Sequence, residues 1–269
     1  MFRIFKGAGG ERVFRVATIS ALVLLAVFFI GIIVSMLSYT DWSTFIAALF
    51  SKEILFAIRL SLTTATVAAV ISLLIAVPVA YAISRTSFPG KNIVDSLLDL
   101  PIVISPVALG AVLLVFFNTP LGSAINNNVI RFVFAVPGIV LAQITVISAL
   151  AVRLLKSTFD AIDPRYEQVA RTLGCSKPEA FFRVTLPMAR DGLVASAILT
   201  WARAIGEFGA TVMLAGATAM KTETLPTAIF LSLASADVEK AIAVIFVLVL
   251  IAVVALLVIR KLIGRRYQI

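Results

Sequence analysis

The sequence predicts an all-α, polytopic membrane protein with six transmembrane helices, on three observations. Apolar residues make up 61% of the 269-residue chain, and the mean hydropathy is +1.09. A water-soluble domain sits nearer half apolar, so this much apolar surface needs lipid as its solvent. Six separate segments approach the roughly 20 apolar residues that cross a bilayer as a helix. Lys and Arg cluster beside those segments, where such residues set topology.

The first segment, 16–38, follows a basic tail carrying Arg3, Lys6, Arg12 and Arg15. The apolar run from Val16 to Ser38 has 23 residues. It is too long for a signal-peptide core, and no small-residue cleavage site follows closely, so it reads as a retained span. The remaining spans are expected at 58–84, 97–117, 133–152, 192–215 and 241–259. Asp99 and Pro101 interrupt the start of the third, and Pro137 lies early in the fourth. The outer segment between Lys221 and Lys240 contains the apolar stretch Leu225 to Leu233. That stretch is too short to span and suits a re-entrant or interfacial helix.

Six spans place both termini on one side. Of the 23 Lys and Arg, 17 fall in the tails and loops of that side. The opposite loops carry only Lys52, Arg131, Lys221 and Lys240, while Arg59 and Arg203 lie within spans. The positive-inside rule makes both termini and the 153–190 loop cytoplasmic, with the chain in the cell (inner) membrane. The whole chain, 1–269, reads as one transmembrane domain.

Several function classes recede on composition. The net charge of +9 is explained by topology, so no nucleic-acid partner is needed. The chain has no His and one Cys, Cys175, which removes the commonest metal ligand and the commonest general base. No metal site and no catalytic residue is expected. The phosphate-binding pattern G-x-x-x-x-G-K-[ST] is absent, since Gly90-Lys91 is followed by Asn92. Any nucleotide must bind another chain.

The informative segment is the loop between spans four and five. Asp163 can cap a helix, and Pro164 fits the first helical position. Tyr166, Val169, Ala170 and Leu173 then recur at i, i+3, i+4 and i+7, one apolar face. Gly174 suits the helix end. Ser176 and Glu179 form an S-x-x-E capping box for a second short helix, followed by Phe181 and Phe182. Leu186-Pro187 should break this segment before span five. An amphipathic helix–turn–helix held here can dock into a groove of a cytosolic partner or lie on the membrane surface; spacing alone leaves both open.

The stretch Glu167-Gln168-Val169-Ala170-Arg171-Thr172-Leu173-Gly174, with Val184-Thr185-Leu186-Pro187 beyond it, resembles the "EAA" loop of binding-protein-dependent ABC importer permeases. Aligned on Gly174, the EAA positions hold Gln168, Val169 and Ala170. The chain departs at the first two, with Glu167 immediately before, and Val184 stands where the pattern has Ile. Arg59-Leu60-Ser61-Leu62, Pro78-Val79-Ala80-Tyr81-Ala82, Leu100-Pro101 and Ser105-Pro106 also look like this family. Trp201 to Thr211, with Lys221 to Pro226, resembles the molybdate/tungstate branch, to which sulfate permeases are close relatives. The resemblance implies an ABC importer permease fold whose coupling helix fits a cleft on the ATPase, through Glu167, Gln168, Val169, Ala170, Arg171, Leu173, Gly174, Leu186 and Pro187. It further implies two ATP-binding subunits holding ATP and Mg, an external (periplasmic or extracellular) substrate-binding protein, and a second permease copy or a related chain. This chain itself would carry no cofactor.

Arg203 and Glu207 lie at i, i+4 in span five and share a helix face. Either Arg203 offers positive potential to an anion on the translocation pathway, or the two form a buried pair tying span five to its neighbours. Gly206 permits close packing or a gate hinge, and Ser105 is a further pathway candidate. A secondary transporter would need proton-relay groups near mid-membrane; only Glu207 fits, and the loop would have no purpose. A membrane enzyme would need a nucleophile, base or metal constellation, and none is visible.

Overall fold

The computed structural model describes residues 8–38 and 42–264, and among these every regular element is helical. Two compact units divide between Ala47 and Ala48. The first is dominated by α1 (Ala8–Ser38), whose stretch Glu11–Met36 is long and apolar enough to cross a membrane. Its side chains are exposed from Glu11 to Ser35, as befits a helix solvated by lipid. Helix α2 (Trp42–Leu49) follows.

The second unit is built on α3 (Lys52–Arg85) and α7 (Val136–Asp160), which pack along each other. Ser51 starts α3 by accepting the Ile54 N–H on its hydroxyl at 3.3 Å. The buried stripe of α3 is made of small residues, among them Ala57, Ser61, Ala65, Ala68, Ser72, Ala76 and Ala80. Between membrane helices no hydrophobic drive exists, so small residues that let backbones approach supply the packing. Against them α7 sets Ile139, Ala142, Ile147, Ala151, Leu155 and Phe159.

Two expected spans are not single rods. The third is α4 (Lys91–Val103) followed by α5 (Pro106–Phe117), bent by 108°. Its cause is local: Pro106 lacks an N–H and disfavours helical backbone in the residue before it. Ser105 is accordingly extended (φ −62°, ψ 142°) and caps α5, its hydroxyl accepting the Ala108 N–H at 3.3 Å. The span expected at 97–117 thus starts earlier, at Lys91, and is broken before Pro106. The fifth is α11 (Arg190–Ile205) and α12 (Gly209–Ala215), bent by 55°. Among the described residues four helices are long and apolar enough to cross a membrane unbroken, and up to six spans result if each bent pair counts as one.

The fourth span runs eight residues beyond its expected end, to Asp160. Helix α6 (Pro120–Asn128) links α5 to α7. Helix α13 (Leu225–Ala234) realises the short apolar stretch, and α14 (Val238–Gly264) contains the sixth span. The short helices α5 and α12 touch closely: a Cβ on Gly110 would lie 2.7 Å from the Ala210 Cα.

Candidate functional site: an anchored docking helix and a broken-helix junction

The 153–190 loop folds as the sequence expects in its first half. Helix α8 (Arg165–Thr172) begins one residue after Pro164, and the Asp163 carboxylate accepts the Arg165 N–H at 2.9 Å. Its end is a Schellman motif. The Cys175 N–H reaches the Ala170 carbonyl and the Gly174 N–H reaches Arg171, each at 3.1 Å. Gly174 carries φ +96°, a left-handed value that a Cβ disfavours. Helix α9 (Lys177–Ala180) opens with the capping box: the Ser176 N–H donates to Glu179 at 2.8 Å, and the Glu179 N–H donates to the Ser176 hydroxyl at 3.4 Å. These bonds from Ser176 hold the fully exposed Glu179 carboxyl below its ordinary pKa.

Leu186-Pro187 itself stays helical, and the break expected before span five comes at Ala189, a turn residue. A π-helical turn, Phe181–Thr185, leads into α10 (Leu186–Met188) and on to α11. The Leu186 N–H bonds to the Phe181 carbonyl, five residues back. The wider turn gives the Pro187 ring the room that a regular α-helix would deny it.

Helix α8 has no buried residue. Tyr166, Val169 and Leu173 are 54%, 58% and 81% exposed, an unpartnered apolar face. Gln168, Arg171 and Gly174 are also exposed, Ala170 and Leu186 are half-buried, and Pro187 is exposed.

Glu167 alone turns inward. Its Oε2 accepts from the Tyr81 hydroxyl at 2.7 Å, and its Oε1 accepts from Thr185 at 2.6 Å and from Arg85 Nε at 3.1 Å. Arg85 Nη2 also donates to the carbonyls of Phe159 (2.9 Å) and Ile162 (2.7 Å), in and just beyond the last turn of α7. The Tyr81 ring packs edge-on against Phe159 and Phe181. Burial pushes the Glu167 carboxyl up, but hydrogen bonds from Thr185, Tyr81 and Arg85 outweigh it and hold the pKa below its ordinary value. Sequence reasoning missed Tyr81, Arg85 and Thr185 as a set. Tyr81 lay in a quoted family-like stretch, and Arg85 registered only as a topology charge.

The second cluster lies at the α11–α12 break. Arg203 Nη1 meets Glu207 Oε2 at 2.8 Å, with Glu207 only 1% exposed and Arg203 38%. Glu207 Oε1 accepts the Ala210 N–H at 3.0 Å, so one carboxylate joins the end of α11 to the first turn of α12. Gln143 donates to the Ala204 carbonyl at 3.0 Å from α7. Gly206 is exposed at the bend. Ser105 sits at the other break as a helix cap; no hydrogen bond joins it to Arg203. Glu207 thus has a structural job, while the Arg203 guanidinium stays half-exposed beside it. Among the described residues no group of three His, Cys, Asp or Glu could hold a metal.

Comparison with known proteins fits this architecture. A probable molybdenum ABC transporter permease protein of Haloferax volcanii is 40% identical over 213 residues, covering 79% of this chain and 77% of that one. A sulfate transport system permease protein of Synechococcus elongatus is 37% identical over 186 residues, covering 68% and 65%. A bacterial alginate ABC transporter chain, solved in complex with an alginate-bound periplasmic protein, shares the fold at TM-score 0.73 and 17% identity, over 97% of this chain and 96% of that one. The profile of binding-protein-dependent transport system inner membrane components matches residues 68–268. With that match over most of its length, the chain belongs to the binding-protein-dependent transport system inner membrane component family.

Proposed function

We propose that this ABC importer permease carries a tetrahedral oxyanion dianion, molybdate or the equally charged tungstate, along a pathway shared with a second copy or a related permease chain. The observation that carries the coupling half of this reading is the exposed apolar face of α8, set on a rigid inward anchor. A helix this short needs tertiary contacts, and the Glu167 bonds supply them while leaving Tyr166, Val169 and Leu173 available to a partner. That partner is an ATPase subunit holding ATP and Mg, one for each permease chain. Cation placement supports a cytoplasmic position for the loop and both termini. A substrate-binding protein then delivers cargo on the opposite face, where α13 lies.

The cargo half rests on the molybdenum-named relative and on Arg203 at the junction of the broken span. The sulfate-named relative makes sulfate the rival. Reconstitution of the permease with its ATPase and binding protein in liposomes tests both halves. ATP-dependent uptake of molybdate and tungstate over sulfate is the expected result. Sulfate uptake alone overturns the cargo, and uptake driven by an ion gradient without ATP overturns the class.

A further inference from the structure

Helix α8 has a second face. Pro164, Glu167, Gln168 and Arg171 recur at i, i+3, i+4 and i+7 and so share one side. At about 100° per residue, that side lies about 180° around the helix from Tyr166, Val169 and Leu173. Behind it is a cavity of about 310 Å³, lined by Tyr81, Arg85 and Thr86 from the end of α3 and by Gln168, Arg171 and Lys177 from the loop.

The charge of this cavity is unbalanced. Both Glu167 oxygens are engaged by Tyr81, Arg85 and Thr185, so its charge is matched by Arg85. Among the described residues neither Arg171 nor Lys177 makes an ion pair. Two cations and an amide therefore line the space, while the Thr86 hydroxyl donates to the Ala82 carbonyl and the Tyr81 hydroxyl to Glu167. An ATPase seated on the apolar face of α8 would leave this opposite side uncovered. Arg85 is the last residue of a membrane-crossing helix, so the cavity sits at that helix's end, and near a membrane surface anionic lipids and clustered cations attract each other.

We propose that this pocket binds a phosphate-class oxyanion, supplied by the headgroup of an anionic phospholipid, which ties α8 to the end of α3. The inference needs only a membrane-embedded chain and stands apart from the identity of the cargo.

The test places the full-length permease, with its ATPase, in nanodiscs of phosphatidylcholine doped with phosphatidylglycerol and reads retained lipid by native mass spectrometry. Wild type retains phosphatidylglycerol preferentially. Arg171→Gln with Lys177→Gln lowers that preference about 25-fold, since each near-surface cation contributes about fivefold. Arg165→Gln with Arg183→Gln removes the same charge outside the pocket and leaves the preference intact. If inorganic phosphate binds in pure phosphatidylcholine discs, depends on Arg171 and Lys177, and no phosphatidylglycerol preference exists, the oxyanion site stands and its source is a free anion. Equal losses in the two double variants overturn the pocket, as does release of the lipid when the ATPase joins.

Discussion

Arg85 and Glu167 stand 82 residues apart in the chain, yet Arg85 Nε donates to Glu167 Oε1 at 3.1 Å with side-chain exposures of only 9% and 14%. The pair joins the end of a membrane-crossing helix to the docking helix. Because Arg85 also holds the Phe159 carbonyl in the last turn of α7 and the Ile162 carbonyl just beyond it, displacement of α8 is passed to the two helices that form the centre of the fold.

Glu167→Ala removes the acceptor for three donors at once. The unpaired, largely buried Arg85 should destabilise the protein by about 1–3 kcal/mol. Transport per inserted molecule should fall at least about tenfold, because a loosened α8 no longer conveys motion. Thermal unfolding in detergent and uptake normalised to membrane content check this. Wild-type values in both would remove the anchor from the mechanism.

The depressed pKa of Glu167 fixes a pH dependence. A carboxylate whose folded pKa lies below its unfolded value stabilises the fold fully above the ordinary value, about 4.3, and loses that contribution as pH falls through the folded pKa. Hydrogen exchange of the α8 amides, corrected for intrinsic rates, should therefore stay slow at neutral pH and accelerate only below the ordinary carboxylate value. Glu167→Gln should abolish that acid-induced step.

Leu173→Asp separates docking from folding. Leu173 is 81% exposed, so the permease's own stability should move by no more than about 0.5 kcal/mol. Burying this side chain against a partner contributes about 1.5–3 kcal/mol, so affinity for the ATPase should drop roughly tenfold or more. Co-purification and a binding titration decide it. Unaltered binding would mean that the apolar face is not the contact.

At the α11–α12 break the two charges should behave differently. Glu207→Ala strips a cap from α12 and leaves Arg203 unpaired, costing about 2–4 kcal/mol. Arg203→Gln keeps a hydrogen-bond donor beside Glu207 and should cost less stability, while lowering oxyanion uptake per molecule. Expression, thermal unfolding and uptake, measured on both, test the division. An uptake defect that only mirrors lost protein would make Arg203 structural as well.

The helices, the capping box from Ser176 to Glu179 and the Gly174 turn were legible because each depends on neighbours in sequence. The bends were less so. Pro106 marked a possible kink but not its 108° size, and the π turn at Phe181–Thr185 leaves no composition mark. The anchor was hidden because it joins Tyr81 and Arg85 to Glu167 and Thr185 across the fold, and hydropathy says nothing about such pairings. Glu207 was readable as a charged residue in a span, but its burial depends on the bend that follows it.

The π turn has a consequence for length variation in the chain. Its extra residue per turn equals a one-residue insertion into an α-helix, which turns everything downstream by about 100°. Deleting one residue between Phe181 and Thr185 would remove that extra residue, press the Pro187 ring against a tighter turn and rotate α11 by that amount, like a key turned a quarter in its lock. The Thr185 hydroxyl would leave Glu167, and the break carrying Arg203 would face a different neighbour. In this segment the number of residues matters more than their identity: many single substitutions should pass, whereas a one-codon deletion should not.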